Sequence, residues 1–238
     1  MANIIRLGSL YLNDCPAEIG LAYKPGKTIS IGETAPGKEI HWVVVNDMLI
    51  ADRCILTNVS WDDLNAQNLV FGKEIAIGGF HFIVRLLQVG AKERVPNEWD
   101  AALDVAGEGN DIWHWERESF WGSETDFIGG GLHDAATRGL NFSRYWIWSQ
   151  TYHRERHCGY RPVLVPLPTG NLDDIHPGEQ MMLWSGQNIV FGSLEELTDY
   201  DIVLSNIEGA LNSDFGSRLS DGGLVIDRAS ISGVQKIQ

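Results

Sequence analysis

The residues of this 238-residue chain whose types suit chemistry are few and scattered. His153 and His157 stand four apart around Arg154-Glu155-Arg156, a spacing that on a helix would let two imidazoles share a metal ion. The flanking arginines oppose a cation, so a charged, solvated segment is the better reading and no metal site is assigned. Cys15, Cys54 and Cys158 are widely spaced with no CxxC, and read as reduced thiols of a protein made in the cytoplasm. Asp126 and Asp173-Asp174 offer oxygens to calcium, but nothing fixes the roughly six to eight ligands that ion takes. Gly-rich phosphate loops, GxSxG and HExxH do not occur, so neither nucleotide binding nor the corresponding hydrolase chemistry is indicated. Asn58-Val59-Ser60 and Asn141-Phe142-Ser143 match the glycosylation sequon, which acts only on a secreted chain. No residue set demonstrates catalysis, and none calls for a cofactor.

What remains is Thr137 to Pro166, a stretch dense in Trp, Tyr, Arg and His that ends in Gly159-Tyr160-Arg161-Pro162-Val163-Leu164. Large aromatics beside arginines suit both a tight core and a recognition surface. Trp146, Trp148, Tyr152, Arg154 and Arg156 supply flat, rigid contact area and fork-shaped donors. With Asn141, Arg144 and His153 they form the expected ligand-binding set. Alternation along an extended chain predicts that at least half of these aromatics serve packing instead.

The elements that must position this stretch are short. Glycine, at 26 residues, favours turns over long helices, and an apolar content of 44% with nine tryptophans supports a substantial core. The formal charge of −14 argues against nucleic acid or anionic lipid as a direct partner. It suits a soluble, self-repelling surface or, less readily, a basic protein partner. The N-terminus lacks a signal peptide, and no apolar run approaches the roughly 20 residues of a membrane span. Cytoplasmic synthesis without membrane insertion follows; a virion component made inside a host cell would look the same.

Along the chain, Met1 to Lys38 reads as short strands around a turn at Lys24 to Lys27. Ile40 to Val45 and Met48 to Arg53 form a hairpin over Asn46-Asp47, and Asp52-Arg53 can pair with neighbouring chain in a surface ion pair that stabilises by only about 0–1 kcal/mol. Ser60 caps a short helix with Asp63 three residues on. Glu74 to Ile77 and Phe80 to Leu87 make a second hairpin around Gly78-Gly79, in which His81 is solvated or packed. Asn97 caps a helix that ends near Gly107. Asn110 to Trp121 is aromatic-rich; if it is extended, Trp113 and Trp115 point to one side and His114 to the other. Gly122 to Asp134 reads as a loop holding Gly129 to Gly131. Beyond Pro168 the composition turns to Gly, Ser, Asp and Asn, with a capping-box helix expected at Ser193-Leu194-Glu195-Glu196. Gln67-Asn68-Leu69-Val70-Phe71-Gly72 is echoed at Gln187-Asn188-Ile189-Val190-Phe191-Gly192. Shared local chemistry explains this better than a repeated unit.

The order of Ile112-Trp113-His114-Trp115, Arg138-Gly139, the aromatic stretch and Gly159 to Leu164 resembles the formylglycine-generating-enzyme (sulfatase-modifying-factor) superfamily, which has a C-type-lectin-like fold. The closing phrase is most similar to phage and prophage members, among them the variable ligand-binding proteins of diversity-generating retroelements. The resemblance covers Glu98 to Pro168 well, Met1 to Gly90 loosely and the tail not at all. The oxidase branch implies a copper-binding cysteine pair close in sequence; here only Cys158 stands at that place. The ergothioneine-synthesis branch implies an iron-binding histidine set on a separate helical domain, which the sequence does not show.

The resulting expectation is an α+β fold: a C-type-lectin-like, mixed, twisted antiparallel sheet with short helices over 1–168, followed by a β-rich accessory segment over 169–238. The expected function is non-catalytic binding of a protein or glycan ligand, as in a phage structural or receptor-recognition protein, with homo-oligomerisation compatible. The alternatives are a diverged formylglycine-type oxidase and an acidic inhibitor of a basic host protein.

Overall fold

The computed structural model describes residues 2–92, 94–129, 132–168 and 171–237, apart from the side chains of 127–129 and 132. Local chemistry sets the hairpins. Asn46 and Asp47 adopt φ of 51° and 61°, the left-handed pair that a tight turn needs, and join Glu39–Val45 to Met48–Ala51. Gly78 and Gly79 do the same at 60° and 81° between Lys73–Ile77 and Phe80–Leu86. Helix α1 (Trp61–Asn65) begins in a full Ser60/Asp63 capping box. Helix α2 (Glu98–Ala106) is capped by Asn97, whose side chain accepts from the Asp100 N–H, and stops at Gly107.

These hairpins build an eight-stranded first sheet, in the order Cys15–Pro16, Ile4–Leu12, Glu39–Val45, Met48–Ala51, Pro162–Pro166, Phe80–Leu86, Lys73–Ile77. Ile29–Gly32 pairs beside Ile4–Leu12. The sheet curls, since a Cβ placed on Gly8 near one end of that order would lie 2.8 Å from Ile77 Cδ1 at the other. A second sheet runs Trp146–Gln150, Leu132–Gly139, Ser119–Gly129, Cys158–Tyr160, Leu56–Thr57, Leu21–Ala22. The third holds the tail: Ser217–Arg218, Leu224–Asp227, Asp201–Ala210, Asn188–Leu197, Gln180–Ser185, Gly233–Lys236.

The expected α+β fold is corrected to a β-rich one: strands occupy 48% of the chain and helix 11%. The short capped segments do fold as helices, but they interrupt sheets and do not form a layer. Several local expectations are overturned by the same competition. Ser193 to Glu196 lies inside the strand Asn188–Leu197, where pairing on both sides overrides a locally adequate capping box. Gly122 to Asp134 is largely hairpin, Ser119–Gly129 with Leu132–Gly139; Gly130 and Gly131 lie outside the described residues. Asn110–Trp113 is a single helical turn, α3, ending at His114 in the left-handed region (φ 45°, ψ 44°). The Gln-Asn echo is no repeat, since 67–72 is a turn after α1 and 187–192 enters a strand.

The tail packs on the body. Met182, Trp184, Ile189 and Ala210 join the first sheet's core, and the Phe80 and Phe191 rings meet at 5.1 Å. Gln235, fully buried, accepts the His81 N–H and donates to the carbonyls of His81 and Leu167. Among the described residues no helix is long and apolar enough to cross a membrane.

Candidate functional site

The strand Trp146–Gln150 of the aromatic-arginine stretch forms the edge of the second sheet, so one side of its backbone and one face of its side chains meet solvent. Its two ends are tied down by arginines. At the first end Arg138, 1% exposed, donates to Val89 O at 3.1 Å, Arg144 O at 2.7 Å and Asp100 Oδ2 at 2.7 Å. Arg144 reaches Glu108 at 2.7 Å and Asp104 at 2.6 Å, while Trp99 Nε1 donates to Ser143 O at 2.8 Å. Together these fix the loop 140–145 against α2. The Ser143 hydroxyl and then the Arg144 guanidinium hold the Glu108 carboxyl below its ordinary range. At the other end Arg154 grips both oxygens of Asp63 at 2.7 Å. Burial pushes the Asp63 carboxyl up, but the bonds from Arg154 and Ser60 outweigh it and keep the group low.

Between the ties, alternation divides the side chains. Trp146 and Trp148 are half-buried, edge-to-face at 5.0 Å, and pack against the core beneath; Trp146 Nε1 donates to Gly90 O at 2.8 Å. Ile147, on the opposite face, is 44% exposed. Beyond the strand, Tyr152, His153, Arg156 and His157 are all exposed. The Tyr152 hydroxyl donates to Gln150 Oε1 at 2.6 Å, and its ring stands edge-on to His153 at 4.6 Å. The segment 151–157 is not helical, so the two histidines do not share a helix face; Glu155 lies between them, 2.6 Å from His157 and 3.8 Å from His153. Asn141 is exposed in the turn that follows Gly139. A cleft of about 460 Å³ opens beside the first end, walled by α2, Arg94, Val95, Phe142 and Arg144. Phe142 is 53% exposed on its rim.

The Gly-Tyr-Arg-Pro phrase is interior. Cys158–Tyr160 runs parallel to Ser119-Phe120 and antiparallel to Leu56–Thr57, and the chain then crosses into the first sheet as Pro162–Pro166. Arg161 marks the crossing. It is wholly buried, donates to the carbonyls of Ala51 (3.2 Å), Asp52 (2.9 Å) and Trp113 (2.6 Å), and lies over the rings of Phe120 and Trp99 at 4.7 and 5.3 Å. A Cβ on Gly159 would stand 2.4 Å from Leu56 O, so only glycine fits.

Cys54 and Cys158 are both buried but belong to different core clusters, Cys54 on the side that Gly159 leaves open. Burial pushes the Cys54 thiol up to about 12, and it pushes Cys158 up as well. Among the described residues no three His, Cys, Asp or Glu side chains are grouped so as to hold a metal ion.

One cluster has no trace in the linear sequence. Asp52, expected as half of a surface pair, is 4% exposed and held at both oxygens by Arg53, at 3.0 and 2.8 Å. His41 and His114 approach the same carboxylate at 3.8 and 3.7 Å. Arg53 also donates to His114 Nε2 at 2.9 Å, which places the proton of a neutral His114 on Nδ1. The guanidinium opposes a metal cation here, and the cavity that adjoins the carboxylate, lined by Ile19, Glu39, Ile40, His41, Asp52 and Arg53, is about 170 Å³, below the roughly 300 Å³ at which ligand pockets begin. Comparison with family models, with curated proteins and with solved structures yields no match for this chain.

Proposed function

We propose that the chain is a non-catalytic binding module, a relative of the non-oxidase members of the formylglycine-generating-enzyme superfamily, that recognises a protein or glycan. The observation that carries this reading is the division of labour within 141–157. Arg144, Arg154 and the two tryptophans are committed to holding the segment, whereas Phe142, Tyr152, His153 and Arg156 are left exposed on a fixed backbone. Rigid aromatics beside an uncommitted guanidinium bind with little loss of conformational freedom. Asn141 borders the same surface. Both thiols are buried, and burial raises their pKa values and keeps them protonated, which counts against the oxidase alternative. An acidic inhibitor would use the overall charge of −14 and not this segment. A role in receptor recognition by a virus particle is the biological setting the resemblance suggests.

The test is a screen of glycan arrays and surface proteins, followed by Tyr152→Ala and Arg156→Ala on whatever binds. Each substitution is expected to weaken binding about tenfold or more without changing the melting temperature, as for interface hot spots. Binding that is undiminished in the double variant, or that collapses with salt as a charge-driven encounter would, rules the reading out.

A further inference from the structure

A second site lies where the curled first sheet fails to close. Ile29–Gly32 pairs with Ile4–Leu12 only over Ser9 to Leu12, so among the described residues the outer edge of Ile4 to Leu7 has no strand partner. The Asn3 carbonyl accepts the Val44 N–H at 2.9 Å on the inner side. Hydrogen bonding in an antiparallel pair alternates by residue. Asn3 and Ile5 therefore turn inward, and Ile4 and Arg6 present amide and carbonyl to the outer edge. That edge borders a cleft of about 460 Å³ between the first sheet and the tail, walled by Ile77, Phe80, Phe191 and Ile237. Arg6 and Glu208 stand on its two sides; both are exposed, and neither side chain makes a hydrogen bond or ion pair among the described residues. Arg6 acts on Glu39 only through space.

We propose that this gap binds an extended segment of another protein, which adds a short strand to the Arg6 edge. Unpaired edges beside apolar pockets recognise peptides in this way: main-chain bonds supply affinity, and alternate side chains enter the pockets. The free charges specify the segment further, as apolar in its middle with an acidic group for Arg6 and a basic group for Glu208. The site is separate from the exposed 141–157 surface and does not depend on it.

The probe is a blocked hexapeptide, Asp-Val-Thr-Val-Thr-Lys, titrated calorimetrically onto the full chain with hydrogen exchange read by NMR. Saturable binding is expected with a Kd below about 1 mM, together with slowed exchange of the Arg6 amide. A peptide N-methylated at alternate amides should not bind, and Arg6→Ala and Glu208→Ala should each weaken binding up to about fivefold. Tyr152→Ala and Arg156→Ala should leave it unchanged, so the two binding readings fail independently. The proposal is overturned if millimolar peptide gives no saturation, or if the N-methylated peptide binds equally well. It is also overturned if the Arg6 amide becomes protected with rising protein concentration alone, which would make the edge a self-association surface.

Discussion

Replacing Arg161 with Met tests whether the most distinctive phrase of the sequence is structural. Methionine keeps much of the volume and the ring contacts with Trp99 and Phe120, but it removes every donor from the carbonyls of Ala51, Asp52 and Trp113. A buried acceptor stripped of its partner costs about 1–3 kcal/mol. The three together would cost about 3–9 kcal/mol if additive. Removing the buried charge itself relieves its own desolvation, the burial effect that lowers the Arg161 pKa. The expected net loss is about 3–5 kcal/mol, a large share of the roughly 5–15 kcal/mol by which domains are stable. At about 2–4 °C per kcal/mol for a chain of this size, the melting temperature falls by about 6–20 °C. Calorimetry and urea titration measure the loss, and ligand titration of the remaining folded protein should give an unchanged Kd, because no part of Arg161 reaches the surface. A variant within about 1 kcal/mol of the parent would refute the three-carbonyl account. An altered Kd would refute its separation from the binding face.

Two further predictions use the same structure. In native protein at pH 8 a thiol reagent should label Cys15, which is exposed, and leave Cys54 and Cys158 untouched until denaturant is added; rapid labelling of a second thiol would contradict their burial. The Asp63 carboxyl is held below its ordinary value, so the stability it contributes is complete above about pH 4 and is lost as pH falls through its folded value. Arg154→Ala should therefore cost about 0.5–1 kcal/mol at pH 7 and progressively less as pH falls through the folded value of Asp63; a pH-independent cost would mean that the pair at 2.7 Å contributes by packing rather than charge.

The sequence by itself determined whatever depends on neighbours in the chain. Asn46-Asp47 and Gly78-Gly79 specify turns through the φ values they tolerate, Ser60 and Asn97 specify helix starts through their side-chain acceptors, and period-two apolar runs specify the strands that follow. The split of the aromatics of Thr137 to Pro166 between core and surface was visible in the same way. Tertiary structure alone decided which arginine does what. Arg138 and Arg161 are interior ties, Arg144 and Arg154 are anchors to carboxylates on α2 and α1, and Arg156 is exposed with no ion pair among the described residues. Nothing in their local sequence separates these roles, because each is set by acceptors contributed from distant segments. The same distance dependence turned Ser193 to Glu196 from an expected helix into a strand, brought His41 and His114 to Asp52, and left the edge at Arg6 open. Strand pairing is a long-range contact, and a chain of short strands is settled by which edges find partners.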